Sequence, residues 1–114
     1  MIPTITVKAH SNPGCPSASQ GKDTKDRVFL LSVAEVQKYF ASRSVMCEPT
    51  KYAIQNEGAS YHTAYSSWML RTMGTSPSNV SYVGGDGIIK SWGAVYSNTF
   101  AVRPAMWIDF SAIE

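Results

Sequence analysis

The spacing of hydrophobic positions changes along the chain, from helical spacing in the first half to short apolar runs in the second. Four apolar residues of the first half recur at helical spacing, namely Val33, Val36, Tyr39 and Phe40. This spacing predicts a helix that runs to about Phe40 or Ala41 and buries these four side chains on one face. Ser32 and Glu35 form a capping box, in which each side chain accepts from the other residue's backbone N–H, so the helix starts just after Ser32.

Three weaker signals precede this helix. Residues 2–8 alternate between apolar and polar side chains, which predicts a short strand. Residues 11–26 are rich in Ser, Pro and Gly, which predicts a long exposed loop. Residues 27–31 form an apolar run that fits either a buried strand or an extended approach to the helix.

A second short helix is predicted from Glu48 to Gln55, ending before Gly58, and the polar residues 59–67 predict a loop. Short apolar runs that predict strands follow it, at residues 68–71, 80–83, 88–90, 100–103 and 106–110. The glycines of Gly84 to Gly87 predict a tight turn that uses positive φ, and Pro104 predicts a bend between the last two strands.

Two short helices followed by strands without crossover helices predict an α+β fold, with a small antiparallel sheet of short strands and long loops. The length of 114 residues fits one domain, residues 1–114. A net charge of +2 is too small to favour nucleic acid, and no apolar run has the roughly 18 residues of a membrane span. The N-terminus lacks the pattern of a signal peptide, so the chain either is not exported that way or is an excised fragment.

Residues 75–99 have the composition of a binding surface. Fifteen of these 25 residues are Ser, Gly, Asn, Tyr or Thr, and only Asp86 and Lys90 are charged. Tyr and Trp give large contact areas at low entropy cost, and Ser, Gly and Asn adapt their hydrogen bonds to a ligand. The same residues also collect in ordinary turns between strands, so composition leaves both interpretations open.

Candidate catalytic and metal chemistry is sparse. Cys15 and Cys47 permit one disulfide, although two separate thiols are favoured, and neither has metal-ligand spacing. His10 and His62 are predicted to be surface residues, with no carboxylate at ligand spacing. No cofactor or metal is therefore predicted. Each of two arginines, Arg71 and Arg103, interrupts an apolar run, where its charge needs a partner: either a bound anion, or loop carbonyls and a carboxylate.

Five blocks of residues closely resemble a bacterial and phage domain family of unknown function. In chain order they are Asp26 to Ser32, Pro49 to Ala53, Trp68 to Arg71, Tyr82-Val83 with Gly87, and Val102 to Ile108. The family domain is longer, so the resemblance implies that this chain is a minimal version or its C-terminal part. It also implies a C-type-lectin-like fold, related to formylglycine-generating enzymes and found in variable proteins of diversity-generating retroelements.

The resemblance implies a non-enzymatic module that displays a variable surface, residues 75–99, to a protein or glycan on a cell surface. Its expected ligand-binding residues are Ser78, Asn79, Ser81, Asp86, Ser91, Trp92, Tyr96, Ser97 and Asn98. A cell-surface, secreted or phage-particle location is expected. The alternatives are a fixed structural or glycan-binding module and, less favoured, an oxidase relative, which would need a cysteine pair in the C-terminal half, where this chain has none.

Overall fold

Two short helices and three small antiparallel sheets make up the computed structural model, which describes residues 2–15, 20–40, 44–57, 61–62, 65–94 and 100–112. The strands are β1 (Ile5–Val7), β2 (Thr24–Asp26), β3 (Tyr61–His62), β4 (Tyr65–Ser66), β5 (Trp68–Met73), β6 (Asn79–Val83) and β7 (Ile89–Ala94). The helices are α1 (Val33–Tyr39) and α2 (Lys51–Glu57), with a 3₁₀ turn at Phe110–Ala112. The predicted α+β class with two short helices and antiparallel strands is confirmed.

The predicted capping box begins α1. The Ser32 hydroxyl accepts from the Glu35 N–H at 3.2 Å, and the Ser32 N–H donates to Glu35 Oε1 at 2.9 Å. Val33 and Val36 are buried, as their spacing predicts. The prediction for Tyr39 is wrong: it is 54% exposed and packs edge-on against Trp107. Tyr39 is the last residue of a two-turn helix, so its side chain lies beyond the edge of the core.

The core lies between α1 and the sheet β5-β6-β7. Alternate residues of β5 face inward, and Trp68 and Leu70 are completely buried with Val83 of β6. The Trp68 indole N–H donates to the Val45 carbonyl at 2.9 Å, which satisfies the one polar group of this large side chain. Apolar burial therefore packs the sheet against α1, and the indole hydrogen bond ties the sheet to the segment that follows the helix.

Two segments predicted as loops contain strands. Within residues 11–26, β2 pairs with β1, with Ile5 opposite Asp26. Within residues 59–67, β3 pairs with β4, with Tyr61 opposite Ser66. Both predictions fail because these strands are only two or three residues long, which is too short for an alternating pattern to show in the sequence.

The predicted C-terminal strands, 100–103 and 106–110, are absent from the described structure and are replaced by two isolated bridges. Ala101 pairs with Trp68, and Ala105 pairs with Phe29. Pro104 stands between these bridges and has no N–H to donate, so a continuous ladder cannot pass through it. Residues 27–31 accordingly form the extended approach to α1, with one bridge at Phe29.

The turn that joins β6 to β7 is partly as predicted. The Gly87 N–H donates to the Gly84 carbonyl at 2.9 Å, which closes the turn. In the turn, only Gly87 adopts a positive φ, of 82°, so Gly84 and Gly85 do not use the left-handed region. In the described ranges, neither helix has the length and apolar content needed to cross a membrane.

Candidate functional site

The outer side of the β6–β7 hairpin carries a cluster of aromatic side chains, which we call the hairpin aromatic face: Tyr82, Trp92 and Phe100. The Tyr82 ring lies 4.7 Å from the Phe100 ring and meets the Trp92 ring edge-on at 6.4 Å. Trp92 is nevertheless 63% exposed. The indole is thus held on one side by the Tyr82 ring, while most of its surface remains available to a ligand.

A β-bulge sets the direction of Trp92. The regular pairs on its two sides are Val80 with Gly93 and Tyr82 with Lys90. Between them, Ser91 and Trp92 of β7 stand opposite the single residue Ser81 of β6. A bulge bends its strand and redirects the side chains on it. Here Ser91 accepts a hydrogen bond from Asn12 at 3.1 Å, whereas its neighbour Trp92 faces outward.

Gly93 permits the close packing of this face. A Cβ atom at Gly93 would lie 2.8 Å from both Tyr82 Cδ1 and Phe100 Cζ, which is shorter than carbon atoms tolerate. The two rings therefore occupy the space that a side chain would need. The aromatic face depends on glycine at this position for its packing, not for positive φ.

Three of the predicted ligand-binding residues lie in the hydrogen-bond network that holds the hairpin together. Ser81 is 0% exposed and donates to the Met73 carbonyl at 3.2 Å, so its prediction as a displayed contact is wrong. Asn79 accepts from Ser76 at 2.6 Å and donates to the Trp92 carbonyl at 3.2 Å. The carbonyl oxygen and the NH₂ group of the Asn79 side chain, like the inward-turned Ser91 hydroxyl, are thus engaged within the protein.

The remaining predicted residues divide into two groups. Ser78 and Asp86 are exposed, at opposite ends of the hairpin. Asp86 accepts from the Ile88 N–H at 3.1 Å and pairs with Lys90 at 3.2 Å, and these two contacts, in that order, lower the pKa of its carboxyl group. The other predicted contacts lie outside the described residues: Tyr96, Ser97 and Asn98.

Arg71 has the structural role that the sequence left open beside anion binding. Its guanidinium donates to the Leu30 and Lys8 carbonyls at 2.8 Å each and forms an ion pair with Glu35. Burial alone would raise the pKa of Glu35, but hydrogen bonds from Arg71 and the Ser32 N–H together lower it. Arg71 therefore joins the N-terminal segment, the approach to α1 and the helix cap.

Arg103 is also held within the protein. Its guanidinium lies 4.8 Å from the centre of the Phe40 ring and 4.9 Å from that of Trp68, and it donates to the Ser44 carbonyl at 3.3 Å. These are cation–π contacts of ordinary length. The carbonyl and aromatic partners account for the charge without a bound anion.

Two polar residues of the N-terminal segment were missed by the sequence reasoning. His10 was expected on the surface, but it is half-buried, with Nδ1 2.6 Å from the Ser32 hydroxyl. Asn12 is buried and donates to the Met73 carbonyl at 2.9 Å. These two residues could not be found from the sequence, because their hydrogen-bond partners are distant in the chain and no local pattern marks such contacts. The side chain of His62 lies outside the described residues.

A concave surface lies between α1 and the C-terminal segment. Its volume is about 290 Å³. The lining is apolar apart from one carboxylate: Phe29, Leu31, Glu35, Tyr39, Phe40, Ala105, Met106 and Trp107. Over the described part of the chain, no three His, Cys, Asp or Glu side chains are placed to hold a metal ion, and Cys15 and Cys47 form no disulfide.

These features define a small α+β domain with a polar, aromatic hairpin surface supported by a tryptophan-centred core. Residues 1–110 match the family described as a domain of unknown function, DUF6273, and the chain belongs to this family. The expectation of a family of unknown function that spans nearly the whole chain is thereby confirmed. Comparison with curated proteins and with solved structures found no match.

Proposed function

We propose that this domain is a non-enzymatic binding module, which engages a protein or glycan through the hairpin aromatic face and its polar surroundings on a C-type-lectin-like scaffold. The observation that carries the proposal is the placement of Trp92: it is 63% exposed, yet its edge packs on Tyr82 and its backbone lies in a bulged strand. A large aromatic side chain already fixed before binding loses little entropy in a complex.

Polar side chains at both ends of the hairpin suit recognition by hydrogen bonding. Ser78 and Asp86 are exposed at the two ends of the hairpin, and Lys90 stands opposite Tyr82. Tyr96, Ser97 and Asn98 remain proposed ligand contacts because of their residue types and because they follow Trp92 closely in the sequence. Hydroxyl, carboxylate, ammonium and aromatic groups together are the usual means of binding sugars and polar peptide surfaces.

The experiment is a binding screen with matched aromatic variants. Fluorescently labelled protein is applied to a printed glycan array and to arrayed bacterial surface proteins, and each positive feature is titrated. Trp92→Ala should weaken binding by more than about 30-fold, as loss of a central aromatic contact does. Tyr52→Ala removes another exposed ring, on α2, and should leave binding unchanged. Full binding by a folded Trp92→Ala variant would reject the hairpin face as the site.

We further propose that residues 75–99 are the diversified segment of a retroelement variable protein. Support comes from the separation of roles within the segment: Ser78, Asp86 and Trp92 are exposed, whereas Ser81 is buried and Asn79 bridges the strands. Sequencing the 3′ region of the gene and its flanking DNA across a growing population tests this. Expected are a nearby imperfect repeat and substitutions at adenine positions in codons for exposed residues, with Ser81 unchanged.

An invariant segment without a repeat would favour the alternative, a fixed structural or glycan-binding module of a cell surface or phage particle. The glycan array then separates these two cases, because a purely structural module gives no positive feature. A formylglycine-generating type of oxidase is disfavoured by the chemistry of the chain, since both cysteines precede residue 48 and neither lies in β5, β6 or β7.

A further inference from the structure

Exposed apolar side chains are concentrated in the C-terminal segment, where it passes α1 and in the residues that follow. We call this patch the C-terminal apolar face: Tyr39, Met106, Trp107, Ile108 and Phe110. All five side chains are exposed, with Trp107 at 49% and Phe110 at 75%. Tyr39 and Trp107 meet edge-to-face at 6.4 Å, and the cavity of about 290 Å³ opens between the helix and residues 105–107. The face shares no residue with the hairpin aromatic face.

The exposed apolar area of this patch approaches that of one half of a protein dimer. Its three rings alone leave roughly 350 Å² in solvent, taking ~200 Å² for a whole aromatic side chain. Met106 and Ile108 raise the exposed apolar area to roughly 500 Å². A standard interface buries about 800 Å² on each partner, and about 65% of a homodimer interface is apolar. The apolar area exposed along this segment, summed over both of its sides, therefore approaches the amount that a homodimer interface uses.

The backbone of this segment is open to pairing. Ala105 exchanges both hydrogen bonds with Phe29, at 3.0 and 2.8 Å. Residues 106–109 follow without a turn or bend, and within the described residues no backbone hydrogen bond holds them. Such an edge pairs readily with another strand. An antiparallel pair of identical segments is two-fold symmetric, so the same segment of a second copy of this chain is a complementary partner.

The charges near the face are compatible with self-pairing. Glu35, the one carboxylate in the cavity, is neutralised by Arg71 within the same protomer. Asp109 is the only charged residue of the segment 106–110. In an antiparallel pairing centred on Trp107, Asp109 lies opposite Ala105 of the other copy, so the two aspartates do not face each other.

We propose that the C-terminal apolar face is the interface of a two-fold symmetric homodimer, formed by antiparallel pairing of residues 106–109 and by mutual packing of the surrounding rings. The dimer would bury the exposed aromatic side chains and satisfy the backbone groups that follow Ala105. The proposal concerns assembly and does not depend on which ligand the hairpin aromatic face binds.

Sedimentation velocity of the full chain over about 1–200 µM tests the proposal, because this range covers ordinary homodimer affinities. The expected species has twice the protomer mass of 12.5 kDa. Trp107→Ala should raise the dimer dissociation constant by more than about 30-fold. Ile108→Pro removes one backbone donor from an exposed position and should weaken the dimer similarly.

Tyr52→Ala and Trp92→Ala are the matched controls, since each removes an exposed ring elsewhere and should leave the dissociation constant unchanged. Circular dichroism of every variant establishes that the fold is kept, and Phe110→Ser replaces any variant that fails this check. A monomer at all concentrations would overturn the proposal. So would a dimer that folded Trp107→Ala and Phe110→Ser variants form with unchanged affinity.

Discussion

The ion pair between Arg71 and Glu35 is the strongest single test of how this fold is held together. Arg71→Met keeps the apolar stem of the side chain and removes its guanidinium. The variant loses hydrogen bonds to the Leu30 and Lys8 carbonyls and leaves the Glu35 carboxylate without its cation. Three segments lose their common partner at once, because Lys8, Leu30 and Glu35 belong to the N-terminal segment, the approach to α1 and α1 itself.

The expected loss is about 2–4 kcal/mol in the free energy of unfolding. A hydrogen bond to a charged group contributes about 1.5–3 kcal/mol, and breaking a buried ion pair costs about 3–5 kcal/mol. The two side chains are 17% and 18% exposed, so water compensates part of this loss. A value near the middle of the range that these two figures span, about 1.5–5 kcal/mol, is therefore expected, and it remains large against the ~5–15 kcal/mol stability of a typical domain.

Urea denaturation at pH 7, followed by circular dichroism, measures the effect. Arg27→Met is the matched control, because Arg27 is exposed and, within the described residues, its side chain donates to a single partner, the Thr4 hydroxyl at 3.2 Å, so its loss should cost less than about 0.5 kcal/mol. A loss below about 1 kcal/mol for Arg71→Met, or one equal to that of Arg27→Met, would refute the reasoning about a shared guanidinium.

The same pair predicts a dependence on pH. The pKa of Glu35 in the folded protein lies below its ordinary value of 4.5, because its hydrogen bonds to Arg71 and Ser32 outweigh the effect of burial. The stabilisation is therefore present above about pH 4.5 and is lost as pH falls through the lowered folded pKa. Glu35→Gln should lose less stability than the wild type between pH 7 and 3. Equal losses in the two proteins would contradict this assignment.

Three further substitutions test the packing around the site by thermal unfolding. Asn12→Ala should lower the free energy of unfolding by about 2–4 kcal/mol, because it removes a buried amide that donates to the Met73 carbonyl and the Ser91 hydroxyl. A loss smaller than about 0.5 kcal/mol would contradict this. Gly74→Ala should lower the free energy of unfolding by about 1–3 kcal/mol, because its Cβ would lie 2.4 Å from the Ser91 carbonyl oxygen. Gly14→Ala is the control: its Cβ would meet no atom closer than 3.4 Å, so the substitution should be nearly neutral. Ser32→Ala should cost about 1–2 kcal/mol through loss of the α1 cap, and rescue of most of this loss by Ser32→Thr would separate capping from packing.

Local signals account for what the sequence predicted well. The capping box at Ser32 depends on residues three apart, and the burial of Trp68 and Leu70 follows from alternation within one strand. Each signal reports a period of the backbone, which neighbouring residues alone determine. The helices, the central antiparallel strands and the class of fold could therefore be predicted before any tertiary contact was known.

Contacts between distant residues account for what the sequence missed. Arg71 and Glu35 are 36 residues apart, and Asn12 reaches Ser91 across 79 residues. The bridges at Ala101 and Ala105 join single residues to Trp68 and Phe29, so they leave no periodic pattern. Tertiary structure also overrides the apolar run 106–110, which is strand-like in sequence yet exposed in the described structure.

Composition could not divide the polar segment into its structural and displayed residues. Ser78 and Ser81 are the same residue type three positions apart, but Ser78 is exposed and Ser81 is completely buried. The β-bulge makes the same division between Ser91 and Trp92. The residues that can contact a ligand on this hairpin are therefore identified by the β-bulge and by side-chain burial, not by composition. Any variation in the segment has to preserve the side chains that form hydrogen bonds across the strands.

The hairpin aromatic face and the C-terminal apolar face share no residue, so ligand binding and dimer formation can be tested separately. A homodimer formed through the C-terminal apolar face would leave Trp92 of both copies exposed. Each dimer would then carry two identical binding surfaces, and a multivalent target such as a glycan-coated cell would bind it with avidity about 10²–10⁴ above the affinity of one surface. Trp107→Ala should accordingly reduce binding to a dense surface while leaving binding to a soluble monovalent ligand unchanged. Trp92→Ala should reduce both, so comparing the two variants on the two forms of ligand separates assembly from recognition.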